Sequence, residues 1–246
     1  MIQTYNESDL HRTLKHLYAL EYNGKTEVPV GKWICDIVTE SGDVIEIQTA
    51  NISKLTPKTK SLLDDGRNVM IVHPLVIEKT IETYTPDGAL VSRRKSPKKQ
   101  TIYAMLRSLT GIYPLLLHGN LTLEVLFVTI TEQRRKTTTP VRLANKSRHF
   151  PKTWVPQEKK LESIIRKERY KTKADYMALI PPSLPHEFTI PNLQKAIFSK
   201  LQEDKTNKNS CTAAANQARL LLWLFTRMDL VEKCGKQGRC ILYRTK

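Results

Sequence analysis

Several classes of protein are excluded by what this 246-residue sequence lacks. Its 4 cysteines are too few for a disulfide scaffold of this length. Cys234 and Cys240 lack the paired CxxC or histidine partner of a zinc site. No run of about 18 apolar residues is present, and MIQTYNESDL has no basic segment followed by an apolar one. We therefore expect a reduced, cytoplasmic protein without a membrane segment.

Motifs for nucleotide-driven or covalent chemistry are also missing. The sequence contains neither GxxxxGK[ST] nor GxGxxG, the glycine-rich patterns that bind the phosphates of nucleotides. It contains no GxSxG or Cys–His pattern that would indicate a covalent nucleophile. His118, His149 and His186 are isolated from one another and have no metal-ligand spacing. His73 precedes Pro74 near the end of an apolar run, where we expect a hydrogen-bonded core histidine.

Positive charge is abundant and unevenly distributed. The net charge is +16, from 40 Lys and Arg against 24 Asp and Glu. Residues 1–133 hold 15 basic and 15 acidic side chains, residues 134–173 hold 14 and 3, and residues 174–246 hold 11 and 6. Basic charge concentrated in this way favours a polyanionic partner, most often nucleic acid. A solubilising charged face or a flexible tether is the alternative.

Local patterns in residues 1–133 predict an α/β or α+β domain with a mixed β-sheet flanked by helices. The turn ESGD separates two predicted strands, GKWICDIVT and DVIEIQT. VMIVHPLV is an apolar run of the buried-strand type. The other predicted elements are a helix over 7–22 with Leu10, Leu14, Leu17 and Leu20 on its apolar face, a helix over 53–65 capped by Ser53, a hairpin over 77–93, a short helix over 98–109 and a strand over 122–130.

The rest of the chain divides into two further predicted parts. Residues 134–173 indicate a basic connector with a partly helical piece at 157–171. Residues 174–246 indicate a separate domain of three helices followed by a two-stranded hairpin that turns at 235–238. This order of elements resembles a winged helix-turn-helix, which implies DNA binding through the third helix and the wing. The same architecture also serves as a protein-interaction module.

Two acidic residues stand in neighbouring predicted strands. Glu46 and Gln48 are two apart in GDVIEIQT and therefore share one face of a strand. Asp36 lies in the preceding strand, and it shares that face with Glu46 if the intervening turn has an odd length or contains a bulge. Acidic residues are depleted in strands. A functional pair is therefore favoured over surface acids that flank a hairpin.

The order of elements around these acids resembles the PD-(D/E)xK nuclease superfamily, which includes the restriction endonucleases. The resemblance covers the chain from the first helix to the buried strand VMIVHPLV. It implies a restriction-endonuclease-like core in which Asp36, Glu46 and the carbonyl of Ile47 bind Mg²⁺ or Mn²⁺. It also implies catalytic roles for Gln48, at the position of the family's lysine, and for Glu7, an extra acid on the first helix.

Gln48 departs from the family pattern, because an amide cannot carry the charge of a lysine. Lys54, Lys58 and Lys60 follow on the next predicted segment, from which an ammonium could return to the site. An ordinary solvated helix face is the alternative interpretation of Lys58 and Lys60. The sequence leaves open which of these lysines, if any, replaces the missing charge.

Side chains for DNA contact are predicted in three places. Arg93 and Arg94 begin a basic cluster after the predicted hairpin, and Lys54 lies beside the predicted site. Asn and Gln can read adenine in the major groove, and Arg can read guanine. The predicted contacts are Thr212, Asn216, Gln217 and Arg219 on the third C-terminal helix, and Lys233, Lys236 and Arg239 on the wing.

Together these features predict a metal-dependent endonuclease that hydrolyses DNA phosphodiester bonds and is targeted by its C-terminal domain. One alternative is a DNA-binding regulator whose nuclease-like domain is inactive because of Gln48. Another is an assembly protein whose winged helix binds protein. RNA is an open alternative to DNA, and a homodimer is an open alternative to a monomer.

Overall fold

A mixed sheet of seven strands is the centre of the computed structural model, which describes residues 8–142, 151–203 and 210–246. The strands are β1 (Lys25–Val30), β2 (Trp33–Val38), β3 (Val44–Ile47), β4 (Val69–Tyr84), β5 (Leu90–Lys95), β6 (Leu121–Val141) and β7 (Lys152–Tyr170). They are ordered β1-β2-β3-β4-β6-β7, with β5 paired to β4. β4 is parallel to both β3 and β6, and the other pairs are antiparallel. The predicted mixed sheet is therefore confirmed.

Six α-helices accompany the sheets in the described part of the chain. They are α1 (Asp9–Glu21), α2 (Thr56–Asp64), α3 (Leu106–Leu109), α4 (Lys173–Met177), α5 (Ile190–Glu203) and α6 (Ser210–Arg227). Short 3-10 helices lie at Ile52–Leu55, Ile102–Met105 and Tyr113–Leu115. None of the described helices is long and apolar enough to cross a membrane.

The buried face of α1 differs from the predicted face of four leucines. The first two are buried, but Leu17 and Leu20 are 41% and 78% exposed. Tyr18 is buried in their place. Its hydroxyl donates a hydrogen bond to the carboxylate of Glu124, which lies fully buried in β6. A tertiary hydrogen bond thus shifts the packed face of this helix away from the pattern of leucine spacing.

The sheet separates two buried apolar clusters. In β4, Ile71 and Leu75 belong to one cluster and Val72 belongs to the other, because neighbouring strand residues face opposite sides. The cluster of Val72 lies under α1. The larger cluster joins the sheet to the helices on its other face, and it contains both Leu106 of α3 and Leu221 of α6. The C-terminal helices therefore share a core with the sheet.

Residues 134–141 and 152–170 are strand, where the sequence predicted a connector with a helical piece at 157–171. They form the end of β6 and the whole of β7, which pair antiparallel. The register between these strands shifts at several points, so Leu161 and Ile164 both pack under α1 although they are three residues apart. A three-residue apolar spacing is typical of a helix, and this is why the pattern was misleading.

Ser53 does not cap the helix after β3, as the sequence predicted. The 3-10 helix Ile52–Leu55 leads into α2, and Asn51 caps this 3-10 helix by accepting a hydrogen bond from the amide of Ser53 at 3.1 Å. The hydroxyl of Ser53 donates to the carbonyl of Ser108 at 2.7 Å and accepts from the amide of Gly111 at 3.1 Å. A Cβ at Gly111 would lie 2.6 Å from Ser53, so this contact requires glycine. Ser53 therefore joins the segment before α2 to the segment around α3.

The C-terminal part contains α4, α5, α6 and a three-stranded sheet. Its strands are β8 (Glu187–Phe188), β9 (Val231–Gln237) and β10 (Cys240–Thr245), in the order β8-β10-β9. The predicted order of three helices and a hairpin is present. The hairpin turns later than the predicted 235–238, because Gly235 continues β9 and Gly238, with φ 59°, makes the turn.

Candidate active site at the ends of two strands

Asp36 and Glu46 lie opposite each other on β2 and β3. The two strands pair Val38 with Val44 and Ile37 with Ile45, so the next position pairs the two acids. The loop between the strands, residues 39–43, contains five residues. An odd number was the geometric condition for the acids to meet. The structure fulfils it.

Each acid accepts a hydrogen bond from a backbone amide of the opposite strand. The amide of Asp36 donates to Oε1 of Glu46 at 3.2 Å. The amide of Ile47 donates to Oδ2 of Asp36 at 2.8 Å. The two carboxylates therefore satisfy backbone donors at the point where the pairing of β2 and β3 ends. The bonds also hold both carboxylates close together.

Lys58 of α2 returns an ammonium to this site. Its Nζ lies 2.5 Å from Oε1 of Glu46 and donates to the carbonyl of Ile34 at 2.6 Å. The lysine side chain is only 11% exposed, so the interpretation of a solvated helix face is wrong for this residue. That interpretation is correct for Lys60, which pairs with Asp64 on the surface. Lys54 is exposed as well.

His11 of α1 is the fourth side chain of the site, and sequence reasoning missed it. Its Nε2 lies 3.2 Å from Oδ2 of Asp36. Ser8 caps α1 by accepting from the amide of His11 at 3.3 Å, which fixes the helix start beside β2. The predicted helix acid, Glu7, lies outside the described residues. In the predicted helix over 7–22, His11 is four residues after Glu7 and thus on the same predicted face, which is the signal that could have indicated it.

The two carboxyl groups have opposite pKa shifts. Burial raises the pKa of Glu46 to about 7, and the negative charge of Asp36 acts in the same direction against the effect of Lys58. Burial alone would raise the pKa of Asp36 too. Its hydrogen bond and charge interaction with His11, together with the Ile47 amide and Lys58, outweigh burial and lower that pKa below its usual value.

Each carboxylate keeps one oxygen that no described residue reaches by a hydrogen bond. The contacts of Asp36 are made by Oδ2 and those of Glu46 by Oε1, which leaves Oδ1 and Oε2. Hard divalent cations such as Mg²⁺ prefer carboxylate oxygens and usually retain several waters. No group of three or more His, Cys, Asp or Glu with metal-site spacing occurs among the described residues. Each of the two remaining oxygens could supply one ligand to a cation that keeps most of its waters.

The side chain of Gln48 makes no hydrogen bond to Asp36 or Glu46 in the described part of the chain. Its Oε1 accepts a hydrogen bond from the amide of Ala50 at 3.2 Å, so the side chain turns toward the following loop. The backbone carbonyl of Gln48 contacts Nδ1 of His73 at 2.6 Å. His73 is thus the hydrogen-bonded core histidine that the sequence predicted. Gln48 lines the cavity over the acids but does not contact either acid by a hydrogen bond among the described residues.

A cavity of about 370 Å³ opens over the acids. It gives the carboxylates access to solvent although Glu46 itself is only 2% exposed. Side chains from the start of α1, from both strands and from the segment before α2 surround it. The lining residues are Ser8, His11, Asp36, Glu46, Ile47, Gln48, Thr49 and Leu55.

The predicted DNA contacts lie mostly on the surface. Arg93 and Arg94 are exposed on β5, at the edge of the sheet, and Arg93 lies 3.5 Å from Glu82. Gln217 is half-buried, and its Oε1 is a buried atom without a hydrogen-bond partner among the described residues. Thr212 is on α6, but its side chain lies outside the described part. The exposed remainder comprises Asn216 and Arg219 on α6, Lys233 and Lys236 on β9, and Arg239 at the hairpin turn.

Residues 8–171 match a family described as "Domain of unknown function (DUF8091)". The chain belongs to this DUF8091 family. The matched range extends from α1 through β7 and therefore includes every element that builds the Asp36–Glu46 site. The chain is also similar to an "Uncharacterized protein" of Treponema pallidum (strain Nichols), with 26% identity over 246 residues. That similarity covers 99% of this chain and 87% of the relative, so it includes the C-terminal helices.

Proposed function

We propose that this DUF8091 protein is a metal-dependent endonuclease that hydrolyses DNA phosphodiester bonds at the Asp36–Glu46 site. One observation carries the proposal. A half-buried and a buried carboxylate on adjacent strands, each with an oxygen free of hydrogen bonds among the described residues, lie beside an ammonium held 2.5 Å from Glu46 by α2. Metal-assisted phosphodiester hydrolysis can use groups of this kind, because carboxylates hold the metal ion and a nearby cation stabilises charge on the phosphate.

The metal ligands in this proposal are Oδ1 of Asp36, Oε2 of Glu46 and the carbonyl of Ile47, with Mg²⁺ or Mn²⁺ as the cation. Burial and then the nearby charge of Asp36 raise the pKa of Glu46, and a bound cation would relieve the repulsion between the two carboxylates. A bound divalent cation would neutralise phosphate charge and lower the pKa of a coordinated water. Both carboxylates are fixed by backbone amides, so their positions do not depend on the cation.

Lys58 performs the role that the motif lysine has in PD-(D/E)xK nucleases. Its ammonium is held between the carbonyl of Ile34 and Glu46, and Glu46 lines the cavity over the acids. From there it can orient the attacking water and stabilise negative charge on the phosphate. His11 acts through Asp36, because its contact with Oδ2 leaves the other oxygen of that carboxylate for the cation. We therefore treat His11 as a positioning residue.

The charge distribution supports a polyanionic substrate. The net charge of +16 concentrates in residues 134–246, and the described arginines and lysines of β5, α6 and the β9–β10 hairpin are exposed. A winged-helix role for the C-terminal part, with α6 in the major groove, belongs to the same proposal. Binding of this kind weakens steeply as salt is added.

A second candidate is a DNA-binding regulator with an inactive site. The specific observation in its favour is that both acids already have cationic or ionisable partners within the chain, since Lys58 contacts Glu46 and His11 contacts Asp36. Such a cluster can be satisfied without a metal. This candidate predicts tight DNA binding with no cleavage under any metal condition.

The test is cleavage of supercoiled and linear DNA by the purified protein with Mg²⁺, Mn²⁺ or EDTA. Metal-dependent nicking or linearisation that disappears in Glu46→Ala and Lys58→Ala, but persists in Lys60→Ala, would support the nuclease. Lys60 is the matched control, because it lies on the same helix and points to solvent. If the wild type binds DNA with nanomolar affinity but does not cleave it, the nuclease is wrong and the DNA-binding regulator is supported.

A further inference from the structure

A second cavity of about 450 Å³ lies beside the one over the acids. The two share Ser8 and Thr49 in their linings, so they are neighbouring parts of one depression. The second cavity extends from the loop after β3 toward α3 and β7. Its volume is within the range of pockets that bind small organic ligands.

The walls of this second cavity combine apolar with polar side chains. Leu10 of α1 and Pro74 and Val76 of β4 line it, together with the small side chains of Ala50 and Ala104. Flat or small apolar walls suit the face of a nucleobase or the carbon side of a sugar, neither of which needs a hydrogen bond there. The wall chemistry thus differs from that of the acid site.

His73 supplies a hydrogen-bond acceptor to the cavity. The carbonyl of Gln48 can only accept, so Nδ1 of His73 carries the proton of their 2.6 Å hydrogen bond. In the neutral ring this leaves Nε2 as an acceptor, and no described residue donates to it. Burial lowers the pKa of His73 despite the opposing hydrogen bond to Gln48, which keeps the ring neutral.

Two cations flank the cavity from different elements. Arg107 lies on α3 and Lys159 on β7, and both side chains are exposed. Neither forms an ion pair with a carboxylate of the described residues. Cations without a protein partner at the rim of an apolar pocket are suited to phosphates on either side of a bound nucleoside.

We propose that this cavity binds one unstacked nucleotide of the nucleic-acid strand, next to the phosphate that lies at Asp36 and Glu46. The base or sugar packs against Leu10 and Pro74, a donor of the nucleotide reaches Nε2 of His73, and the flanking phosphates meet Arg107 and Lys159. The part of this inference that concerns the phosphate at the acids rests on the proposed function. Its consequence is a preference for single-stranded or locally unpaired substrate, because a paired base would have to leave its stack to enter.

The test measures binding in EDTA, so that its outcome does not depend on cleavage. The probes are short single-stranded DNA oligonucleotides, each with one 2-aminopurine, whose fluorescence rises when the base unstacks. We expect the wild-type protein to increase the fluorescence at one position of the bound oligonucleotide and to bind the matching duplex more weakly. Ala104→Trp should abolish the increase and weaken binding about tenfold, because the exposed Ala104 can carry a ring that fills the cavity.

Ala89→Trp, in the exposed turn between β4 and β5, is the matched control and should behave as the wild type. Arg107→Ala and Lys159→Ala should each reduce the salt slope of oligonucleotide binding by about one. An Ala104→Trp variant that binds with wild-type affinity and an unchanged fluorescence increase would overturn the inference. Cleavage in Mg²⁺ without any unstacking signal would overturn it and leave the nuclease standing. Unstacking in EDTA without cleavage in metal would support it and count against the nuclease.

Discussion

The ammonium of Lys58 lies 2.5 Å from the carboxylate of Glu46 and joins α2 to β3. Both side chains are largely buried, at 11% and 3% exposure. A buried ion pair contributes little net stability, but removal of one partner leaves the other charge uncompensated. The pair therefore links the proposed chemistry of the site to the stability of the fold, and the two can be separated by choice of variant and pH.

Lys58→Ala should lower cleavage about 100-fold or more, because it removes the cation that the proposed function assigns to the phosphate. It should also lower the free energy of unfolding by about 3 kcal/mol near pH 8, where Glu46 is left as a buried charge. Near pH 6 the loss should be smaller, because Glu46 can take up a proton. Urea denaturation at both pH values measures this. Lys60→Ala is the control, and a comparable loss in that variant would contradict the assignment.

Stability should fall with rising pH because of Glu46. Its folded pKa of about 7 lies above the ordinary value of 4.5, so the folded state binds more protons than the unfolded state between these values. The contribution of Glu46 is present at the acidic end of that window and is lost as pH rises through about 7. Buried His73 has a lowered pKa and gives a slope of the opposite sign. The effect of Glu46 is thus isolated by the difference in the free energy of unfolding between the wild type and Glu46→Gln.

The difference in the free energy of unfolding between the wild type and Glu46→Gln should change as the pH rises between the unfolded and folded pKa values of Glu46. Urea denaturation in a series of buffers measures this difference. A constant difference between the two proteins from pH 5 to pH 8, to within about 0.5 kcal/mol, would refute the raised pKa of Glu46. Metal binding should follow the same group, since a proton on Glu46 competes with a cation. Cleavage should accordingly increase as pH rises through about 7.

Mg²⁺ should raise the melting temperature of the wild type, because a ligand that binds only the folded state stabilises it. Asp36→Asn should abolish this increase, since the amide keeps the shape of the side chain and loses the charge. His11→Ala should retain the increase but require more metal, because His11 only positions Asp36. Differential scanning fluorimetry over a metal titration checks both. Equal metal responses in the wild type and Asp36→Asn would exclude Asp36 as a ligand.

Tyr18→Phe should destabilise the protein by about 1–3 kcal/mol through Glu124. The Tyr18 hydroxyl and Arg169 both donate to this fully buried carboxylate, and the variant removes one donor. Denaturation in urea measures the effect. Leu20→Ala on the exposed side of the same helix is the control, with an expected change within about 0.5 kcal/mol. An unchanged free energy of unfolding in Tyr18→Phe would show that Glu124 needs no donor from α1.

The order of elements around the site could be predicted because its signals are local. The turn ESGD, the apolar run VMIVHPLV and the helix between them are visible within short windows, and Asp36 and Glu46 follow from the strand period. The pairing of β6 with β7 could not be predicted, because its bulges depend on contacts between distant residues. The roles of His11 and Lys58 depend on how α1 and α2 rotate against the sheet. Tertiary packing decides that rotation, and the helical repeat alone does not.

The two hydrogen bonds of Ser53 bear on how the chain can be divided. They fix the segment before α2 to residues 108–111, and α3 there packs in the same apolar cluster as α6. A shortened chain that ends at residue 171, where the family match ends, would expose the back of that cluster to water. The helix α2, which carries Lys58, would then lose part of the packing behind it. We therefore expect the C-terminal helices to support the acid site through the shared apolar cluster.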